Sequence, residues 1–284
     1  MVLKIRFQYF TLICILLVSC STIKVTNRID EPYLQNDITE NVLFYIAHQD
    51  DEVFILSKIK EHLNSEDNVF IIYTCLSYQN GEGYKEKRIN ESKRALESIN
   101  IKPQNVFYLG FPDGNSHKHL KSLIQKTDSL LSIISPNIIY TSAYEGGNID
   151  HDIANFVIGY LNKNDNHTYI AFEFPEYSGY KTILTFKLRS FPQYPETYIR
   201  KLSKKKYKEV LEYWKNYKSQ KFPFGFYMSV TTGKKVAFGY EYYRKLPNHN
   251  YLEKPPTLKI AYEKYLKAEF MDFKNEIEKI IPRR

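Results

Sequence analysis

The chain has 284 residues, 43% of them hydrophobic, and carries 40 lysines and arginines against 32 acids, a formal net charge of +8. That length suffices for one sizeable α/β domain. Its three cysteines cannot supply a disulfide framework, so stability has to come from a buried core.

The chain opens with Lys4 and Arg6, followed by an apolar run over residues 9–18 that is too short to span a bilayer as a helix. A basic start, a short apolar middle and a small residue at the cut describe a secretory signal. Leu17, Val18, Ser19 and Cys20 resemble the lipobox of bacterial lipoproteins, in which the cysteine becomes the acylated N-terminus. An ordinary signal peptide that carries a cysteine is the alternative. On the lipobox reading residues 1–19 leave as signal and the net charge falls to +6 with Lys4 and Arg6. Acyl chains on Cys20 then anchor the chain to a membrane at roughly 0.8 kcal/mol per buried CH₂. Residues 20–40 lack a sustained apolar period and read as a tether with a reach of roughly 23 Å. The folded part spans 41–284, in the bacterial cell envelope at the outer membrane or cell surface. There a moderately basic chain suits anionic polysaccharide or envelope surfaces, and export points away from nucleic acid as a partner.

Residues 42–47 (VLFYIA) form a short, continuously apolar run, as expected for a strand buried on both faces. The pattern repeats at 69–75 (VFIIYTC), 105–109, 137–141 and 168–174 (TYIAFEF). Between them, segments at about 53–63, 85–99 and 117–134 carry helical spacing; in the second, Ile89, Ala95, Leu96 and Ile99 share a face. Strands alternating with helices predict an α/β fold, a Rossmann-like, mostly parallel sheet flanked by helices. Cys75 reads as a small hydrophobe within a strand. After Pro175 aromatics and prolines become dense, giving a C-terminal aromatic-rich extension. In it a basic helix is predicted at about 196–219, with Tyr207, Val210, Leu211, Trp214 and Tyr217 along one face. The lysines at 204–206 read as the solvated side of that helix. There are no internal repeats or low-complexity segments.

Ligands of open α/β sheets bind beyond the carboxyl ends of the strands, and the informative segments lie there. The first strand ends in AHQDDE at 47–52; the fourth is followed by YEGGNIDHD at 144–152. Asp50, Asp51 and Glu52 individually suit a helix N-terminus. That account leaves unexplained a histidine leading three consecutive acids. One helical turn brings His48 and Asp51 to the same side, an imidazole and a carboxylate fit to ligate zinc, with Asp50 pointing elsewhere. A catalytic zinc takes three protein ligands and keeps an open position. His151, behind the Gly146–Gly147 pair that permits close backbone approach, is the candidate third ligand. Asp50 is then free to take a proton from water.

These segments resemble the PIG-L/LmbE-like family of N-acetylglucosamine deacetylases, whose fingerprints are A-H-P-D-D-E and G-H-P-D-H. Carried over position by position, the resemblance implies His48, Asp51 and His151 as ligands of one zinc ion per chain and Asp50 as general base. Glu52 and Asp150 match positions that orient ligands. Arg88 and Glu91 match the family's R-x-x-E helix, and residues 110–114 its G-F-P-D-G turn, which carries Asp113. Tyr217, Ser219 and Gln220 resemble an H-x-S-Q segment; Glu241 and Tyr243 resemble a late E-x-F. By chemistry alone residues 112–114 are a good turn and Arg88 a solvated helix charge. Two departures stand out. Gln49 replaces a proline, a change of loop rigidity. Asn148 replaces the first histidine of G-H-P-D-H, and an asparagine donates a hydrogen bond but cannot carry a proton. The resemblance implies zinc-dependent hydrolysis of the acetamide of an N-acetylated sugar or glycoconjugate, releasing acetate. The rival it leaves open is a catalytically weak glycan-binding surface lipoprotein that keeps the metal. A zinc hydrolase acting on another N-acyl group is a second. No G-x-S-x-G and no P-loop is present, and Gly81 and Gly83 are followed by Glu86 where dinucleotide binding needs a third glycine.

Overall fold

The computed structural model describes residues 39–77, 81–163, 167–179, 186–188, 197–220, 240–257, 259–265 and 268–281. The signal, Cys20 and nearly all of the tether expected over 20–40 lie outside them.

Five strands pair in parallel: β1 (Asn41–Ile46), β2 (Asn68–Leu76), β3 (Val106–Pro112), β4 (Ile138–Ser142) and β5 (Ile170–Phe174). Their order across the sheet is β3-β2-β1-β4-β5. A hairpin of β6 (Tyr177–Gly179) and β7 (Phe186–Leu188) stands apart. The main sheet is completed by β8 (Tyr198–Lys201) and β9 (Tyr240–Lys245); β9 runs antiparallel to β5, and β8 antiparallel to β9.

The apolar runs are continuous because both sheet faces are covered. In β1, Leu43 and Tyr45 join one core with Leu123 and Leu131 of α3 (Leu120–Ile134), Ile153 and Phe156 of α4 (Ile149–Lys163), and Phe273 and Ile277 of α7 (Phe270–Glu278). The alternate residues Val42, Phe44 and Ile46 join the other. There they meet Ile59 of α1 (Leu56–Asn64), Ala95 and Leu96 of α2 (Glu82–Glu97), and Val210 and Tyr213 of α5 (Lys204–Trp214). Each such buried side chain contributes about 1.5–3 kcal/mol relative to exposure. A short α6 (Ala261–Tyr265) precedes α7, which opens with reciprocal caps between Glu269 and Asp272. None of the described helices is long and apolar enough to cross a membrane.

The helix expected at about 196–219 divides. Its first part is strand β8, whose Tyr198 stacks on Tyr243 of β9 with ring centroids 5.1 Å apart. The helix begins only after Ser203, whose hydroxyl accepts from the Lys206 backbone at 3.2 Å. Pairing to a neighbouring strand overrides helical periodicity up to that cap.

The order reverses at β1. Its neighbours β2 and β4 lead into helices on opposite faces of the sheet, so a crevice opens past the carboxyl ends of β1 and β4. Residues 47–52 and 143–151 border it.

Candidate metal centre

Beyond β1 the chain turns sharply. Asp50 has φ 117°, a left-handed conformation that costs a non-glycine residue about 1–3 kcal/mol, and a 3₁₀ turn follows over Asp51–Phe54. The acids do cap this loop: the His48 backbone donates to Asp51 Oδ2 at 2.7 Å and the Asp50 backbone to Glu52 Oε2 at 3.1 Å. Gln49, in the place of the family's proline, donates to the Cys75 carbonyl of β2 at 2.8 Å, so the loop gains a tie rather than losing stiffness.

Three donor atoms converge across the crevice. His48 Nδ1 lies 3.3 Å from Asp51 Oδ2, His151 Nε2 lies 3.3 Å from the same oxygen, and the two nitrogens are 3.2 Å apart. All three residues are buried. Ligand atoms 2.0–2.1 Å from a tetrahedral zinc stand about 3.3 Å from one another, so this triangle fits a small divalent cation. The sequence points to these three residues as candidate ligands from segments a hundred residues apart, and the structure brings their donor atoms together.

The far sides of the rings are also held. His48 Nε2 faces Asp150 Oδ2 at 3.2 Å and Asp113 Oδ1 at 3.3 Å, so an N–H there leaves the Nδ1 lone pair toward the triangle. Asp150 is in turn fixed by the Gly114 and Ser116 backbones and the Ser116 hydroxyl. His151 Nδ1 lies 3.5 Å from Glu176 Oε1, and neither atom has a well-formed hydrogen bond among the described residues.

Asp50 points away from the triangle. Its Oδ1 takes a 2.6 Å ion pair from Arg88, which also donates to the Gln49 carbonyl. Arg88 is thus a buried partner of Asp50, not the solvated helix charge its sequence context suggests by default. Glu91, one turn on, accepts from the Ser219 backbone at 3.1 Å and its hydroxyl at 2.6 Å. Glu52 does not reach a ligand: it accepts from Asp50's backbone, from Tyr213 at 2.8 Å and from Tyr217. Glu241 accepts from the Ser57 backbone. Asn148 caps α4, its Oδ1 accepting from the Asp150 backbone at 2.9 Å, and its Nδ2 donates to the Tyr177 hydroxyl at 3.3 Å.

The electrostatics follow from this packing. Burial opposes charge on His48, but Asp113 and Asp51 overcome it and hold the imidazole well above its ordinary value. Burial would lift Asp51, yet His151 and His48 drive it well below the usual range, and His48 likewise outweighs burial to hold Asp113 at about 2. Asp50 behaves oppositely: burial lifts it to about 8 against the pull of Arg88. A divalent cation bound by these donors would displace the proton that Asp113 and Asp51 hold on His48.

Three neighbours lie beyond what the sequence points to. Glu176 and Tyr177 follow the carboxyl end of β5 and close the crevice; Tyr177 sits edge-on to His151, centroids 5.3 Å apart. Their only sequence signal is an acid and an aromatic at the end of a third strand on the same rim. Cys75 is buried as expected, but its sulfur also lies with donors of His48 and Asp150 inside a 4.8 Å cluster. Burial pushes its thiol well above the ordinary value, so it stays neutral there.

Comparison with known proteins follows the same lines. The profile of the PIG-L family, GlcNAc-PI de-N-acetylase, matches residues 43–160. No curated protein sequence matches the chain. Among solved structures, a triple mutant of a deacetylase of teicoplanin biosynthesis (Orf2*T) is similar with TM-score 0.56 at 13% identity, over 72% of this chain and 96% of that one. The zinc-inhibited form of teicoplanin deacetylase Orf2 gives 0.51 at 11% identity, over 72% and 98%. The A40926 pseudoaglycone deacetylase Dbv21 gives 0.53 at 13%, over 74% and 97%. At such identities the likeness is one of fold, and it confirms the expected α/β architecture. The stretch similar to the PIG-L family, residues 43–160, holds the whole donor triangle.

Proposed function

We propose that the chain is a zinc-dependent N-deacetylase, one zinc per chain, that hydrolyses the acetamide of an N-acetylated amino sugar to acetate and the free amine. The observation that carries this is the triangle of His48, Asp51 and His151 donors at 3.2–3.3 Å, with a separate carboxylate beside it. The match of residues 43–160 to the PIG-L family and a fold shared with the teicoplanin and A40926 deacetylases support the substrate class.

His48, Asp51 and His151 would hold a divalent cation, which would supply Lewis acidity to the acetyl carbonyl and to water. Asp50, turned out of the triangle and steadied by Arg88, takes the proton of the attacking water. The same carboxyl returns that proton to the departing nitrogen as the carbon–nitrogen bond breaks. Asp150 and Asp113 hold His48 in the ligating tautomer, and Glu52 keeps the Asp50 loop in its strained turn.

One observation favours a second reading. Asn148 has both ends of its amide engaged and cannot carry a proton, and loss of a single donor costs on the order of 10²–10³ in rate elsewhere. A glycan-binding protein that keeps the metal but turns over weakly fits that fact. Acetate release by zinc-loaded protein from a panel of N-acetylated sugars decides between them; zinc and sugar binding without acetate would sink the deacetylase reading. From the sequence alone we further propose lipidation of Cys20 and residence in the bacterial cell envelope, which mass spectrometry of the mature N-terminus tests.

A further inference from the structure

Asn148 stands where the family's fingerprint has a histidine, and the residue it touches is Tyr177. The segment bearing Tyr177 is fixed to the 145–151 loop at four places. Glu145 Oε1 accepts from the Glu176 backbone at 2.6 Å. The Tyr177 carbonyl oxygen would lie 1.7 Å from a Cβ on Gly147, so only glycine admits this approach. The Tyr177 ring meets His151 edge-on at 66°, centroids 5.3 Å apart. Its hydroxyl accepts from Asn148 Nδ2 at 3.3 Å.

A phenol oxygen that accepts from Asn148 has its O–H directed elsewhere, and the ring that bears it lies against His151 of the donor triangle. On the deacetylase reading above, a neutral donor held beside the reacting centre is placed to meet negative charge on the acetyl oxygen. We propose that Tyr177 is a catalytic residue of this chain: its hydroxyl donates a hydrogen bond to the acetyl oxygen as the tetrahedral oxyanion forms, and Asn148 aims that hydroxyl.

Tyr177 keeps its proton throughout. The water oxygen bonds to the carbonyl carbon, the carbon–nitrogen bond breaks, and the travelling proton passes from water through Asp50 to the amine. Asn148 is then a positioning residue, and the exchange of histidine for asparagine is answered by a hydroxyl from the end of β5.

The test compares zinc-loaded parent, Tyr177→Phe, Asn148→Ser and the double variant. Phenylalanine keeps the ring against His151, and serine keeps the helix cap while removing the amide donor. Tyr177→Phe should lower kcat roughly 10²-fold, with KM, zinc content and Tm unchanged. Binding of the methylphosphonamide of glucosamine, a stable tetrahedral mimic, should weaken by a similar factor while glucosamine binds as before. Asn148→Ser should cost roughly tenfold alone and nothing further in the Tyr177→Phe background, as expected for two groups acting as one. Tyr177→Phe within about threefold of the parent in both kcat and mimic affinity overturns the proposal. A parent that neither releases acetate nor binds the mimic removes the deacetylase reading itself, and the role of Tyr177 with it.

Discussion

At the end of β1, His48, Asp51 and His151 turn donor atoms toward one point, 3.2–3.3 Å apart. On β5, Glu173 gathers a similar inventory: Arg244 donates to its Oε1 at 2.6 Å, while His249 at 2.9 Å and Asn155 at 2.7 Å face its Oε2. The carboxylates of both clusters are buried, and both clusters combine imidazole with carboxylate. In the second, each carboxylate oxygen meets a donor, and His249 and Arg244 hold Glu173 below its usual range against the push of burial. In the first, lone pairs face lone pairs, which only a proton or a cation reconciles. Residue types do not distinguish a metal site from a structural ion cluster. The direction of the lone pairs does.

The largest expected effect comes from removing a corner of the triangle. His48→Ala should lower zinc from about one per chain to none, read by metal analysis, and take acetate release below detection. Retention of one equivalent would show that His48 is no ligand. Asp50→Asn comes next: zinc content should stay, while turnover falls roughly 10²–10⁴-fold, the usual worth of a general base. Turnover near the parent's would remove Asp50 from the base role. The β5 cluster should respond in stability instead. Arg244→Met leaves Glu173 short of its guanidinium partner and should cost about 3–5 kcal/mol in urea unfolding, with zinc affinity unchanged within a few-fold. A loss of zinc in that variant would erase the distinction between the clusters.

What is legible in the sequence is whatever is written locally. Continuous runs such as residues 42–47 announce strands covered on both faces, and a histidine three residues before an acid at a strand end announces a ligand pair. His151 is legible because Gly146 and Gly147 precede it, and Gly147 is indeed where Tyr177 backbone packs against the loop. Long-range pairings are not legible. Nothing near Arg88 says that it folds onto Asp50, 38 residues away, and nothing near Glu176 and Tyr177 says that they close the crevice. The edge strand Tyr198–Lys201 reads as part of a helix because its partner, β9, lies some forty residues on. The same holds for Glu52, which anchors to Tyr213 and Tyr217 across more than 160 residues rather than to a ligand beside it.

The smallest expected effect sharpens the comparison through pH. Glu145 accepts from the Glu176 backbone through Oε1, while its Oε2 has no hydrogen-bond partner among the described residues. Burial lifts this carboxyl from 4.5 to about 8. Between those values the folded chain holds a proton that the unfolded chain has released, so folding stability is highest at the acid end and declines as pH climbs to about 8. A glutamine keeps the carbonyl that accepts from Glu176 and never ionises. Glu145→Gln should therefore flatten the decline. At roughly 1.4 kcal/mol for each pH step of one across that window, the gain at pH 8 relative to pH 5 reaches a few kcal/mol. That figure is an upper limit, because the buried amide must find a partner of its own. Urea midpoints across that range for both metal-free proteins read it directly. Parallel pH curves for the two would mean that Glu145 is ionised in the fold, and that the loop bearing His151 is held by a charge rather than by a neutral hydrogen bond.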